Sequence, residues 1–129
     1  MSRLLLDTHA FLWWVGDRPE LSAAARAAIA DESAQPLLSV ASAWELAIKC
    51  SLGKLRLVHP VQRFVTEQVA ANGFRLLPVE LAHAARVETL PWHHKDPFDR
   101  LLIAQALEER VPLVSADAAF DAYGIARIW

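Results

Sequence analysis

The chain is 129 residues long, 54% hydrophobic and 22% charged, with a formal net charge of −2. That is enough chain for one domain (residues 1–129) with a single sizeable core, and it excludes a disordered or fibrous protein. A lone cysteine, Cys50, excludes a disulfide framework and an intrachain thiolate zinc cluster, and it fits a reducing, cytoplasmic setting. No apolar run approaches the ~18 residues of a membrane span, and the short run after Arg3 stops at Asp7, so neither an anchor nor a signal peptide is expected.

Strand-like apolar runs alternate with helical ones. This predicts an α/β fold with a central, mainly parallel sheet covered on both faces by helices. Arg3 to Leu6 reads as a first strand and Thr8 to Val15 as a helix closed by Gly16-Asp17. Asp7 then stands at a strand–helix corner, at the carboxyl edge where open parallel sheets bind ligands; it also suits a plain helix cap. Leu21 to Glu32 is an Ala-rich helix with Leu21, Ala25 and Ile29 inward, and Leu37 to Val40 a second strand.

Ala41 to Leu52 is the next helix, with Trp44, Ala47, Ile48 and Ser51 on one face. Its Glu45 has two structural explanations, a Ser42-x-x-Glu45 capping box and an i,i+4 pair with Lys49. Lys54 and Arg56 follow in a basic turn that could touch a phosphate backbone or simply be solvated. Val61 to Ala71 is amphipathic through Val61, Phe64, Val65 and Val69, with Asn72-Gly73 as its stop. Phe74 to Leu77 is a third strand. Glu80 to Leu90 is a helix with Leu81, Ala84 and Ala85 inward, on which His83 reads as structural.

The loop Trp92-His93-His94-Lys95 leads into Asp96-Pro97-Phe98-Asp99, the start of a strongly apolar helix. Two adjacent histidines on a loop with no third soft ligand argue against zinc. A strand from Leu113 to Ser115 delivers Asp117, a short helix covers Ala118 to Tyr123, and Ile125 to Trp129 is a closing strand.

Asp at N-cap, Pro at N1 and Asp at N3 make a near-ideal helix start, so Asp96 and Asp99, like Asp117, have a local structural reason to exist. Taken together the acids say more. Ser, Thr or Asn would cap equally well, yet an acid stands at every corner that feeds one sheet edge. Carboxylates gathered there repel unless a cation or shifted pKa values offset them. All-oxygen donors suit Mg²⁺ or Mn²⁺, and such an ion can cut a phosphodiester. Setting aside these five acids leaves ten against 13 Lys and Arg, so net charge does not disfavour a nucleic-acid substrate.

The ordered runs DTHAFLWW, ASAWELAIKCSLGKL, DPFDRLLIAQA and LVSAD resemble the PIN-domain ribonucleases, and within them the VapC toxins of type II toxin–antitoxin pairs. The resemblance spans Arg3 to Trp129. It implies a three-layer α/β/α sandwich with four pocket acids, which fall on Asp7, Glu45, Asp99 and Asp117. Asp96 takes an additional acid position, Ser115 the small hydroxyl position and Thr8 the place after the first acid. The chemistry expected is Mg²⁺- or Mn²⁺-dependent endoribonuclease action, inhibiting translation by cutting tRNA or rRNA and leaving a 5′-phosphate and a 3′-hydroxyl. Asp7 and Asp99 would ligate the metal, Asp117 directly or through water, and Glu45 would orient or deprotonate the attacking water. Lys49, Lys54, Arg56, His93, His94 and Lys95 are candidate RNA contacts. The relatives form homodimers and pair with a VapB-type antitoxin. Two other classes remain: a receiver-like phospho-switch, for which no Lys follows the last strand, and a non-catalytic binding module on the same fold.

Overall fold

The computed structural model describes residues 2–129. Five strands, β1 (Ser2–Leu6), β2 (Ala34–Ser39), β3 (Arg75–Leu77), β4 (Leu113–Val114) and β5 (Arg127–Ile128), form one sheet in the order β3-β2-β1-β4-β5. Every pairing is parallel. From β1 the chain moves outward through β2 to β3, and later fills the other side with β4 and β5. The reversal opens a crevice at the carboxyl ends of β1 and β4, the edge where such sheets hold ligands.

The helices are α1 (Thr8–Val15), α2 (Ala23–Ala30), α3 (Val40–Ser51), α4 (Val61–Ala71), α5 (Leu81–Arg86) and α6 (Pro97–Glu109), with 3₁₀ segments at Val87–Thr89 and Ala118–Tyr123. Side chains alternate across a strand, so β1 sends Leu4 and Leu6 to one face and Leu5 to the other. The first face packs with Phe11, Ile29, Leu46 and Val65. The second packs with Leu102, Ile103, Leu113 and Phe120. The result is the expected three-layer α/β/α sandwich. Six residues from Arg100 to Ala106 are buried on α6, which is therefore enclosed on more than one side and lacks a clean polar face.

β2 starts three residues earlier than the apolar pattern predicts, at Ala34. Pro36 is tolerated inside it because β3 begins only opposite Leu37, so that flank has no ladder hydrogen bond to lose. β5 is shorter than the Ile125–Trp129 run suggests. Ser39, not Ser42, caps α3 by accepting from the Ala41 N–H, so the Ser42–Glu45 capping box does not form. The strand–helix corner at Ser39 fixes the helix phase, burying Ala41, Ser42 and Leu46 and leaving Trp44 outermost, where it meets Phe98 edge-on.

The inward face expected for α5 is overturned. Leu81 is 85% exposed and Ala84 and Ala85 are exposed, whereas His83 is buried. A polar network rotated the helix: Nδ1 of His83 accepts the Glu80 N–H and Nε2 lies 2.8 Å from Glu109, which also binds Arg3. His83 is structural, as expected. Leu81→Ser should change stability by less than about 0.5 kcal/mol, and His83→Ala should lower it by about 2 kcal/mol by orphaning buried partners; paired urea titrations check both.

Candidate active site

Asp7 ends β1, and its carboxylate caps α1 by accepting from the Ala10 N–H at 2.8 Å. Asp96 caps α6 through the Phe98 and Asp99 N–H groups, and Asp117 caps the 3₁₀ segment through Ala119. The capping explanation is thus correct for three acids, yet it leaves carboxylate oxygens free. Those oxygens, with Glu45 from α3 and Asp99 from the first turn of α6, line a single cleft of about 160 Å³. Four chain segments, far apart in sequence, bring Asp7, Glu45, Asp96, Asp99 and Asp117 together at the crevice between β1 and β4.

The electrostatics of the cleft follow from that crowding. Burial raises the Asp7 carboxyl above the usual range, against hydrogen bonds from Ser115 and Ala10. Asp99 is pushed up to about 7, by burial first and then by the charges of Asp96, Glu45 and Asp7, with His94 acting in the opposite sense. Carboxyls raised by burial and, for Asp99, by neighbouring acids mark a site short of positive charge.

Each acid has a fixed neighbour. The Thr8 hydroxyl donates to Glu45 Oε1 at 2.7 Å and stands 3.0 Å from the Ser42 hydroxyl. Lys49 Nζ lies 3.2 Å from the other Glu45 oxygen. Ser115 is fully buried and accepts the Asp117 N–H, which sets the turn that aims Asp117. His94 Nε2 sits 3.2 Å from both Asp99 Oδ2 and Asp117 Oδ2. His94, Asp99 and Asp117 thereby place three ligand atoms within 4.8 Å of one another.

The candidate RNA contacts divide. Lys49 lines the acidic cleft, and His94 meets two of its acids, Asp99 and Asp117. His93 packs edge-on against Tyr123, and Lys95 is exposed on the same loop. Lys54 and Arg56 are exposed in the turn after α3, and Arg56 lines a different cleft with Val58, Phe64 and Glu67. They do not join the acids.

The fold and this arrangement can be set beside known proteins. The PIN domain family model matches residues 4–126. The chain belongs to the PIN-domain family. Ribonuclease VapC22 of Mycobacterium tuberculosis is 35% identical over 119 residues, which is 91% of this chain and 88% of that protein. VapBC2 from Rickettsia felis superimposes with a TM-score of 0.72 at 12% identity, covering 98% of this chain and 97% of that one. VapBC from Salmonella typhimurium gives 0.69 at 15% identity, with the same coverage of both chains. At those identities the two structures speak to the fold alone.

Three further residues, two lining the PIN domain's cleft and one buried beneath the loop beside it, were not legible beforehand. His9 and Phe120 line it, one following Thr8 on α1 and the other from the 3₁₀ segment. Their positions in the sequence look like ordinary helix residues. Arg100 is the third. It is 2% exposed, and among the described residues no carboxylate pairs with it. Its guanidinium instead donates to the carbonyls of Val87, Leu90, Pro91 and His94, beneath the Trp92 ring at 3.8 Å. An arginine in the D-R-L-L run looks like a solvated helix residue, and only the return of the 87–94 loop over it reveals the clamp.

Proposed function

We propose that this PIN domain, a single domain over residues 1–129, is a divalent-metal-dependent endoribonuclease. It acts as the toxin of a pair with a VapB-type antitoxin. The observation that carries the reading is the convergence of Asp7, Glu45, Asp99 and Asp117 on one cleft at the carboxyl edge of the sheet. RNA as the substrate follows from the name of the 35%-identical relative, a ribonuclease. Pairing with an antitoxin is supported by the VapC name of that relative and by the fold shared with the two VapBC structures.

The donor set fits a hard cation. It is dominated by carboxylate oxygens, and the raised Asp7 and Asp99 carboxyls are those that an ion would most relieve. Asp7, Asp99 and Asp117 would hold Mg²⁺ or Mn²⁺, with Asp96 at the rim. When bound, such an ion acidifies its water and offsets charge on the phosphate oxygens. The protein's own groups do the rest. Glu45, fixed by Thr8 on one oxygen and Lys49 on the other, orients the attacking water and accepts its proton. Lys49 also faces the approaching phosphate, and His93 and Lys95 lie on the neighbouring loop to meet the RNA backbone without reading sequence. In-line attack by water leaves a 5′-phosphate and a 3′-hydroxyl. The cellular reading is a cytoplasmic, homodimeric toxin that halts translation by cutting tRNA or rRNA. Among the described residues no helix is long and apolar enough to cross a membrane.

The test is incubation of antitoxin-free protein with total tRNA and rRNA in Mg²⁺, Mn²⁺ or EDTA, beside Glu45→Gln. Discrete fragments with 5′-phosphates are expected in either metal. EDTA should remove them, and Glu45→Gln should slow them by about 10²–10⁴-fold. Fragments that persist in EDTA, or at an equal rate in the variant, would defeat the assignment.

A further inference from the structure

The loop 90–96 carries more machinery than the four acids require. Nδ1 of His94 accepts the Asp96 N–H at 3.2 Å. The ring proton of the neutral imidazole therefore belongs on Nε2, which makes Nε2–H a donor. That donor is 3.2 Å from a carboxylate oxygen of Asp99 and 3.2 Å from one of Asp117. The ring leans on Phe120 at 5.6 Å, and the His94 carbonyl faces the buried Arg100 guanidinium at 3.4 Å. A side chain tied at its ring, its far nitrogen and its backbone has been placed, not left to solvent.

We propose that His94 is a fifth working side chain of the cleft, with two successive roles. Before a cation enters, its Nε2–H bridges Asp99 and Asp117, holding two acids from separate elements at ligand spacing. Once those oxygens turn to a cation, the same N–H donates to a non-bridging oxygen of the scissile phosphate. The tautomer carries the second role. Ligation through Nε2 would require moving the proton to Nδ1, against the Asp96 N–H, so the ring serves as donor and not as ligand. A donor whose two acceptors have been taken by an ion needs a new one, and a phosphate held by that ion would offer it an oxygen. The proton stays on Nε2 throughout, and no bond to it is made or broken.

The inference rests on the proposed nuclease reading, so its test separates the two. Wild type, His94→Ala and His94→Gln are titrated with Mn²⁺ by calorimetry, and their cleavage of total tRNA and rRNA is timed at saturating Mn²⁺. His94→Ala should bind Mn²⁺ within threefold of wild type or more tightly, and should cut about 10²-fold more slowly, as for loss of one preorganised donor. His94→Gln, which restores an N–H, should recover part of the rate. Mn²⁺ binding more than threefold weaker in His94→Ala would make the residue a ligand, and a rate within threefold of wild type would make it a bystander; either overturns the proposal. The imidazole ¹⁵N–¹H spectrum of the wild type supplies a readout independent of RNA. Mg²⁺ should shift the His94 Nε2–H signal as its carboxylate acceptors leave. A shift without cleavage would sink the nuclease reading and keep the bridge, while cleavage without a shift would sink the bridge alone.

Discussion

Asp99→Asn is expected to abolish metal-dependent cleavage while making the metal-free protein more stable at neutral pH. The carboxyl sits among Asp96, Glu45 and Asp7 and is raised from 3.8 to about 7 by burial and by those charges. A group whose folded pKa lies above its unfolded value binds its proton more tightly in the folded state. Its contribution is therefore favourable at low pH and is lost as pH rises from about 4 to 7. Asparagine keeps the shape and never ionises. Its advantage over wild type should be absent below pH 4, grow through that window and level off above pH 7. The shift alone converts at about 1.4 kcal/mol per unit. With the side chain 28% exposed, screening leaves about 1–2 kcal/mol. Urea midpoints for both proteins at pH 4 and pH 8, in EDTA, check it. A variant less stable than wild type at pH 8 would mean that the His94 contact outweighs the crowding of the acids. Saturating Mg²⁺ should reverse the order, because only wild type gains from binding the ion. Loss of activity with a gain in stability is the signature of a residue kept for function against the interest of the fold.

Arg100→Ala carries the second large effect, in the opposite direction. This buried cation is satisfied by the carbonyls of Val87, Leu90, Pro91 and His94 and by the Trp92 face, although Trp92 is itself 77% exposed. Removing it strands carbonyls at the turn between α5 and α6 and releases the loop that carries His94 and Asp96. A loss of about 3 kcal/mol is expected, from charge-assisted hydrogen bonds and the lost cation–π contact. Arg100→Lys should recover little, since an ammonium cannot fork to several carbonyls. Urea denaturation measures the stability, and hydrogen exchange over residues 87–96 measures the release of the loop. Cleavage should fall in Arg100→Ala even where the protein stays folded, since the positions of Asp96 and His94 depend on that loop. An unchanged exchange pattern would show that the loop holds its shape without the clamp.

Much of this molecule is written locally. Short apolar runs place the strands, and apolar or amphipathic stretches with their start and stop residues place α1, α4 and α6, because each signal lies along one segment of chain. The acids at strand–helix corners are also local, and parallel strands necessarily deliver their carboxyl ends to one edge. Asp7 and Asp117 could be read together on that ground, the resemblance to the PIN family added Glu45 and Asp99, and the cleft brings the four together.

What sequence periodicity left open depends on partners distant in the chain. The face of α5 is set by His83 meeting Glu109 across 26 residues, which overrides the apolar pattern of Leu81 and Ala84. The cap of α3 is chosen by where β2 ends, not by the better motif three residues later. Arg100 and Arg56 look alike as charged residues near a motif, yet one is a buried clamp and the other an exposed turn residue outside the acidic cleft. His94 bridges two acids only because the loop 87–94 folds back over α6. The sequence by itself determined the layers and the sheet edge, since each follows from patterns along one element, and its ordered motifs pointed to the four acids through their resemblance to the PIN family. Only the tertiary structure decided helix phase, the Arg100 clamp and the place of His94, because each is a competition between polar partners that meet after the chain has folded.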